Sequence, residues 1–333
     1  MMHKFYTYLL RNQVIFAFFL IILGWFIFQT RGIFVSVFIS YIIMAALMPA
    51  VQVLRKRGLP NILAVLIPFL GSIIVLFLII FPLIPFFLSQ INSFATGLPT
   101  YLDEAATSLG VKIDAQAVQS LVSRELNSIS RNAVVVTSKV FGGVFSALTV
   151  MIVSFYLLLY YDNFKKSIAK LFHRDERSFI EVTVEKINDK LGAWLRGQLV
   201  LSFSIGLITY VVLSILGLPY ALPLALIAGL LEVIPTLGPT LAAVPAIIVA
   251  LTVNPPTALA VAVIYIVIQL LENNFLVPKI MQKAVGLNPV IVILGVMIGA
   301  NLMGVAGALL AIPFISFIIV LFESINNGRE DTT

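Results

Sequence analysis

The sequence predicts an all-α polytopic membrane protein with about five to eight membrane helices, two re-entrant helical hairpins and amphipathic surface helices. Hydrophobic residues make up 60% of its 333 residues and charged residues 11%, whereas an ordinary soluble domain is about 25% charged. Uncharged apolar windows such as 14–28, 33–48 and 62–88 approach or reach the roughly 20 residues that a spanning helix needs. No segment alternates apolar and polar residues as transmembrane β-strands do.

Residues 1–88 are predicted to form membrane helices 1–3. The first apolar run resembles a signal peptide, but Gln29-Thr30-Arg31 offers no small-residue cleavage site, so we expect a retained helix. The positive-inside rule places Arg55-Lys56-Arg57 in the cytoplasm. Helix 1 would then run outward from a cytoplasmic N-terminus and helix 2 would return. A third span is expected from Asn61 to about Leu88.

Residues 89–139 are predicted to be extracytoplasmic, because their eight charges balance to zero. Apolar residues at helical spacing predict an amphipathic helix within this segment, at Val118, Leu121, Val122, Leu126 and Ile129. Residues 140–161 then form membrane helix 4, which returns the chain to the cytoplasm.

Residues 162–193 are predicted to form a cytoplasmic amphipathic helix. Eight basic and six acidic residues lie between Asp162 and Arg196, the densest charge in the sequence. An apolar stripe predicts a helix that runs straight into the next span, 195–216; its members are Ile180, Val184, Ile187, Leu191 and Trp194. Packing against the protein is the default role of this helix, and contact with the membrane surface or with another subunit is also open.

Residues 194–323 are predicted to be a transport region with broken helices, followed by a cytoplasmic tail at 324–333. Two apolar pairs, 218–253 and 288–320, are each interrupted by Gly, Pro or Asn and flank one span. Such pairs are the best sequence-level indication of a transporter binding site. A piece of sixteen residues covers only about 24 Å of a hydrocarbon core near 30 Å. This favours re-entrant hairpins over two short complete spans, although loop charge does not separate the two.

Two carboxylates are candidate ion- or proton-binding groups. Glu232 and Glu272 are the only acidic residues between Asp189 and Glu323, and both follow long apolar runs. An intramembrane carboxylate is costly, so it usually faces a cavity or a partner. The alternative is that each carboxylate anchors a helix at the interface. Gln269 and Asn273 would share a face with Glu272 if the helix persists.

The interrupted turns supply the other candidate binding residues. Helix-breaking residues leave backbone groups free for a substrate, an ion or water, and those of the first turn are Pro235, Gly238 and Pro239, with Thr236 between them. Asn301 lies in the second turn, and we expect the two turns to meet near the membrane midplane. The alternative for the first turn is a tight connector. Gly295-x-x-x-Gly299 is interpreted as a helix-packing motif.

Several functions are excluded by what the sequence lacks. It has no cysteine and two isolated histidines, and no phosphate-binding loop or histidine-containing catalytic set. We therefore expect no cofactor, no bound metal and no enzymatic activity. The net charge of +6 is scattered over short loops beside membrane segments, so no nucleic-acid partner is expected.

Several ordered motifs resemble one transporter family. They are Leu195-Arg196-Gly197-Gln198, Leu216-Gly217-Leu218-Pro219-Tyr220, Ile234-Pro235-Thr236-Leu237-Gly238-Pro239, Glu272-Asn273-Asn274, Val277-Pro278-Lys279, Gly286-Leu287-Asn288-Pro289 and the run from Gly304 to Pro313. Together they resemble the AI-2E (autoinducer-2 exporter, PerM-like) family, densely from about Lys190 to Pro313. The family's Leu-His-Pro is Leu287-Asn288-Pro289 here, and its aromatic after the first proline is Thr236.

The resemblance implies a homo-oligomeric secondary transporter of the bacterial inner membrane, pentameric where the family is best understood. It implies export of a small polar solute such as autoinducer-2, or exchange of sodium or lithium for protons. The partners expected are therefore the solute or a monovalent cation, protons, membrane lipid and further copies of the chain. Two other readings remain: a membrane scaffold that does not transport, and a passive channel.

Overall fold

The computed structural model describes residues 13–75, 77–78, 120, 133–234, 238–281 and 288–330, and within these ranges the regular structure is helical. This agrees with the predicted all-α class. The helices are α1 (Gln13–Lys56), α2 (Asn61–Val75), α3 (Ala133–Leu159), α4 (Tyr161–Ala169), α5 (Arg177–Ile215), α6 (Ala221–Leu231), α7 (Gly238–Val253), α8 (Pro255–Leu271), α9 (Val277–Met281) and α10 (Pro289–Glu330). A short 3₁₀ turn, Arg174–Glu176, precedes α5, and a π-helical turn, Glu272–Leu276, joins α8 to α9.

Helix α1 corrects the prediction for the first two spans. The expected reversal between them is wrong, because α1 is continuous over 44 residues, about 66 Å. The polar residues at this point are accommodated on the helix surface. Thr30 donates a hydrogen bond to the carbonyl of Phe26 at 2.7 Å, and the Arg31 guanidinium lies 4.1 Å from the Phe28 ring centroid. Polar side chains that are satisfied locally do not force a turn.

Helices α1 and α3 run in the same direction and end together. Ser40 donates a hydrogen bond to the Val150 carbonyl at 3.0 Å, and Arg55 lies 3.5 Å from Asp162. The basic cluster at 55–57 and the charged segment that begins at Asp162 are therefore adjacent. The sequence analysis had placed both on the cytoplasmic side of the membrane. Helix α2 covers the first part of the expected third span, and the predicted amphipathic helix at 118–129 falls almost entirely outside the described residues.

Helix α5 confirms the predicted continuity between the charged segment and the next span. It is a single helix of 39 residues. Val184, Ile187, Leu191 and Trp194 of the predicted stripe are buried, and Ile180 is half-buried. The buried stripe packs on Ile42 and Ala45 of α1. Helix α5 is thus the central element against which α1, α4, α6 and α10 pack.

Helices α6 and α7 form the first hairpin. They contain 11 and 16 residues, about 16 and 24 Å, so neither reaches across a hydrocarbon core of about 30 Å. Gly206 of α5 and Gly229 of α6 allow a close crossing: a Cβ atom added at Gly229 would lie 2.9 Å from the Ser202 carbonyl oxygen and 3.3 Å from the Gly206 Cα. The hairpin is therefore seated directly on α5.

Helix α10 is the second hairpin, because its two arms, 289–302 and 305–330, fold back on each other. The break lies at Met303 and Gly304, and Gly304 has φ +62°, which favours glycine. A Cβ atom added at Gly299 would contact the backbone of Gly307, and one at Gly295 would lie 3.9 Å from the Ala311 Cβ. The glycine motif therefore packs arm against arm. The second arm continues to Glu330, beyond the boundary predicted at 323.

The chain is a multi-pass membrane protein. Within the described residues four apolar segments are long enough to cross a membrane, or five if α3 and α4, which are bent by 79° relative to each other, form one span. One of the four, Val290–Asn326, is folded back at Gly304, so its length does not measure a single straight span.

Candidate functional site

Glu232 and Glu272 come together in the core although they lie 40 positions apart in the sequence. Glu232 follows the last residue of α6, and Glu272 opens the π-helical turn after α8. Their side chains are 0% and 1% exposed, and the two carboxyl groups are within hydrogen-bonding reach of each other. We call this contact the carboxyl pair.

The π-helical turn at Glu272–Leu276 has a cause in the sequence. Pro278 has no N–H to donate to the carbonyl four residues earlier, and its ring crowds that carbonyl, so the α-helical ladder cannot continue regularly. The helix widens to π geometry instead, which often marks functional sites. Helix α9 then packs on α5 at Gly197, where an added Cβ would lie 2.8 Å from the Met281 sulfur.

Gln198 of α5 connects the central helix to the carboxyl pair. Its Nε2 donates a hydrogen bond of 2.8 Å to the Glu232 backbone carbonyl, and the side chain is 1% exposed. This bond satisfies a carbonyl at the C-terminal end of α6, where carbonyl groups have no N–H partner within the helix. Gln198 thereby fixes the end of the first hairpin, and with it the position of the Glu232 carboxyl group.

The oxygens around the carboxyl pair are acceptors. Both Glu232 carboxyl oxygens, Glu272 Oε2 and Gln198 Oε1 are buried and receive no hydrogen bond from an N–H or O–H group of the described residues. The two carboxyl groups can form a hydrogen bond with each other only when one of them carries a proton. Two touching carboxylates repel, so a proton or another cation stabilises the pair. The arrangement can therefore take up and release positive charge.

The end of the first turn packs closely against the backbone that carries Glu232. Gly238 and Pro239 are both buried, and a Cβ atom added at Gly238 would contact the Leu231 carbonyl oxygen and lie 2.8 Å from the Glu232 Cα. Glycine at position 238 is what allows this approach. Pro235 and Thr236 lie outside the described residues.

The other candidate residues lie apart from the carboxyl pair. Gln269 is half-buried and Asn273 is exposed. Asn273 does not share the face of Glu272, because adjacent residues of a helix point in different directions. Asn301 is also exposed, close to the break in α10. The first hairpin does contact the second: Ile234 packs on Val296, Ala308 and Ala311. That contact lies along the arms of α10 rather than at their tip.

Gln198 is the residue of the site that the sequence interpretation did not single out as a binding residue. It lies within the motif Leu195-Arg196-Gly197-Gln198 and is the only side-chain amide of the span 195–216. An amide inside an apolar span costs free energy unless it is bonded. A single amide within an apolar span was therefore the sequence feature from which Gln198 could have been identified.

Nearly the whole chain is similar to known transport proteins. The model of the AI-2E family transporter matches residues 15–327. YrrI of Bacillus subtilis (strain 168) is 28% identical over 315 residues, covering 90% of this chain and 89% of YrrI. Its name states that it is a transport protein but gives no substrate. TqsA of Escherichia coli (strain K12), named an AI-2 transport protein, is 26% identical over 318 residues, covering 90% of this chain and 88% of TqsA. The chain belongs to the AI-2E transporter family.

Proposed function

We propose that the chain is a secondary transporter that exports a small polar solute, of the kind autoinducer-2 represents, and that the carboxyl pair couples export to a proton or a monovalent cation. The observation that carries this proposal is the contact between two fully buried carboxyl groups on separate elements. A structural role alone does not account for it, because two apolar residues would fill the same space without the cost of burying two acids.

The carboxyl pair is suited to alternating binding and release of a proton or cation, because its two members are carried by different parts of the fold. Glu232 moves with the first hairpin, and Glu272 belongs to the helix that follows it. Movement of the hairpin relative to the π-helical turn would separate the carboxyl groups, and separation lowers their mutual repulsion and releases the shared proton. In transporters of broken-helix design, coupling sites lie at such discontinuities.

Exchange of sodium or lithium for protons is the second candidate function. The unpaired buried oxygens of Glu232, Glu272 and Gln198 favour it, because small hard cations prefer oxygen ligands. The carboxyl oxygens of the pair and Gln198 Oε1 would provide such ligands. In this reading the cation is the cargo, and no organic solute is required.

A polar groove lies along the charged part of α5, the helix that also carries Gln198. It has a volume of about 490 Å³, lies between α5 and the second arm of α10, and is lined by Lys186, Asp189, Lys190, Arg196 and Glu323, among others. Arg196 is two residues from Gln198 and donates hydrogen bonds of 3.3 and 3.2 Å to the carbonyls of Ala45 and Ala46. Residues two positions apart lie on different faces of a helix, so the groove is a separate polar surface of α5 that is open to a hydrated solute.

We place the protein in the bacterial inner membrane, with the groove and the Arg55 cluster in the cytoplasm. The second arm of α10 ends beside the charged part of α5, which supports the expected cytoplasmic C-terminus. The expected cytoplasmic N-terminus required a reversal that α1 lacks, so reporter fusions at both ends are the test of orientation. Homo-oligomerisation, as a pentamer, stays a prediction; the mass of the purified particle in detergent tests it.

Flux into proteoliposomes tests the proposed function. Purified protein is reconstituted and assayed for autoinducer-2 movement under a proton gradient, and separately for sodium-driven proton movement. Glu272→Gln keeps the side-chain shape but removes the charge, and we expect it to abolish gradient-driven flux. Glu176→Gln, which alters an exposed acid, is the matched control. Particle mass and yield of both variants are compared with the wild type.

The outcomes separate the alternatives. Saturable flux that follows the gradient supports a transporter, whereas linear, gradient-insensitive flux indicates a channel. No flux of any tested solute by a correctly assembled protein supports the scaffold reading. The carboxyl pair is excluded as the coupling site if Glu272→Gln transports at the wild-type rate.

A further inference from the structure

Helix α4 leaves the end of α3 at a bend of 79°, and only one of its faces is covered by protein. Tyr161 and Ala169 are buried, Phe164 packs on Tyr41 with ring centroids 6.1 Å apart, and Lys165 lies 3.5 Å from Glu185 of α5. If α3 crosses the bilayer near its normal, this bend places α4 along the plane of the membrane.

The uncovered side of α4 combines positive charge with exposed apolar groups. Lys166 and Lys170 are exposed on it, and neither forms an ion pair among the described residues. The turn that follows presents Leu171 and Phe172, which are 83% and 44% exposed, and then the basic residue Arg174. Exposure of two adjacent apolar side chains on a strongly polar segment is unfavourable in water.

We infer that α4 and the 171–172 turn dock on the headgroup layer of anionic phospholipid, with Leu171 and Phe172 inserted and Lys166, Lys170 and Arg174 on the phosphates. A soluble anion would satisfy the charges but would leave the apolar pair in water. An amphipathic segment with apolar side chains beside lysines is the pattern of interfacial membrane binding. The exposed acid of α4, Asp162, is paired with Arg55. The acids Asp175 and Glu176 follow Arg174 in the 3₁₀ turn that precedes α5, so the basic surface ends at Arg174.

This docking would fix the cytoplasmic end of the bundle with respect to the bilayer. Helix α4 packs on α5 and on Tyr41 of α1, so its anchorage holds α5, the central helix against which the first hairpin packs. The inference does not depend on what the protein transports. It predicts that the lipid environment of α4 changes with the fraction of anionic lipid.

Spin labels test the inference in the full-length protein, which has no native cysteine. Leu171→Cys is labelled and reconstituted in phosphatidylcholine vesicles with and without phosphatidylglycerol. Collision of the label with oxygen, which partitions into lipid, is compared with collision with a water-soluble nickel chelate. Asp175→Cys, four residues later and exposed, is the matched control. We expect oxygen to dominate at position 171 and nickel at position 175, and the ratio at 171 to rise with phosphatidylglycerol.

A second variant tests the contribution of the two lysine charges to docking. Lys166→Gln/Lys170→Gln in the Leu171→Cys background should lower the equilibrium constant for docking on anionic vesicles about fivefold per lysine. Nickel accessibility at 171 equal to that at 175 in both lipid mixtures would overturn the inference. Protection of position 171 from both reagents would also overturn it, because a protein partner would then cover the turn. An accessibility ratio at position 171 that does not change with phosphatidylglycerol, with or without the lysines, would also overturn the inference, because docking would then not depend on anionic lipid.

Discussion

A disulfide between the arms of α10 should form without distortion. The change is Gly295→Cys together with Ala311→Cys in a chain that has no cysteine of its own. An ideal Cβ at position 295 lies 3.9 Å from the Ala311 Cβ, and the mean Cβ–Cβ distance of natural disulfides is about 3.8 Å. The new side chain also meets the terminal methyl group of Ile315, which can rotate aside.

The stabilisation expected from this disulfide follows from the geometry of the hairpin. In a straight helix these positions would be about 24 Å apart, too far for any disulfide. In the hairpin the bond closes a loop of about 16 residues, for which chain entropy gives about 3 kcal/mol of stabilisation. The control pair, Val290→Cys with Ala306→Cys, has the same sequence spacing. It is out of register by about ten residues, or about 15 Å along the arms.

Gel mobility after mild oxidation, with mass spectrometry of the linked peptide, measures bond formation. Thermal unfolding in detergent, with and without reductant, measures the stabilisation. We expect near-complete oxidation of the 295/311 pair, little for the control pair, and a melting temperature that falls on reduction. Failure of the 295/311 pair to oxidise in assembled protein, with both thiols accessible to a small reagent, would refute the hairpin.

Three further changes probe the packing around the site, each read as a shift in thermal unfolding. Gln198→Leu leaves the Glu232 carbonyl without its 2.8 Å hydrogen bond and should cost about 1–3 kcal/mol, whereas the exposed Gln52→Leu should cost little. Gly229→Val places side-chain atoms against the Ser202 carbonyl and should cost about 1–3 kcal/mol, whereas Gly24→Ala, which faces open space, should not destabilise. Asp162→Asn removes an exposed ion pair of 3.5 Å and should change stability by less than about 1 kcal/mol; a larger loss would show that this pair holds the start of α4 to α1.

Both hairpins could be predicted from the sequence because their signals are local. Short apolar pieces separated by Gly and Pro cannot continue as one helix, and the structure places breaks at Gly304 and between α6 and α7. The continuity of α5 was also predictable, since its apolar stripe keeps helical spacing through the charged segment. These features depend on residues a few positions apart, which is the range over which sequence patterns are informative.

The contacts that assemble the site could not be predicted in the same way. The sequence identified Glu232 and Glu272 as unusual, but their contact depends on how α6 and α8 pack on α5. The π-helical turn that begins at Glu272 depends on how the chain relieves the conflict at Pro278. The error at α1 had a different origin: Thr30 and Arg31 look like a loop in sequence, yet both are satisfied on a helix surface.

The central claim is that Glu232 and Glu272 act as one proton- or cation-binding unit. The most direct test is a double-mutant cycle of gradient-driven flux in proteoliposomes with Glu232→Gln, Glu272→Gln and both together, each across a range of pH. If the carboxyl groups share one charge, either single change should remove the coupling as completely as the double change, and the pH dependence of flux should disappear in all three variants. Independent, additive losses from the two changes, or wild-type pH dependence in either assembled single variant, would contradict the claim.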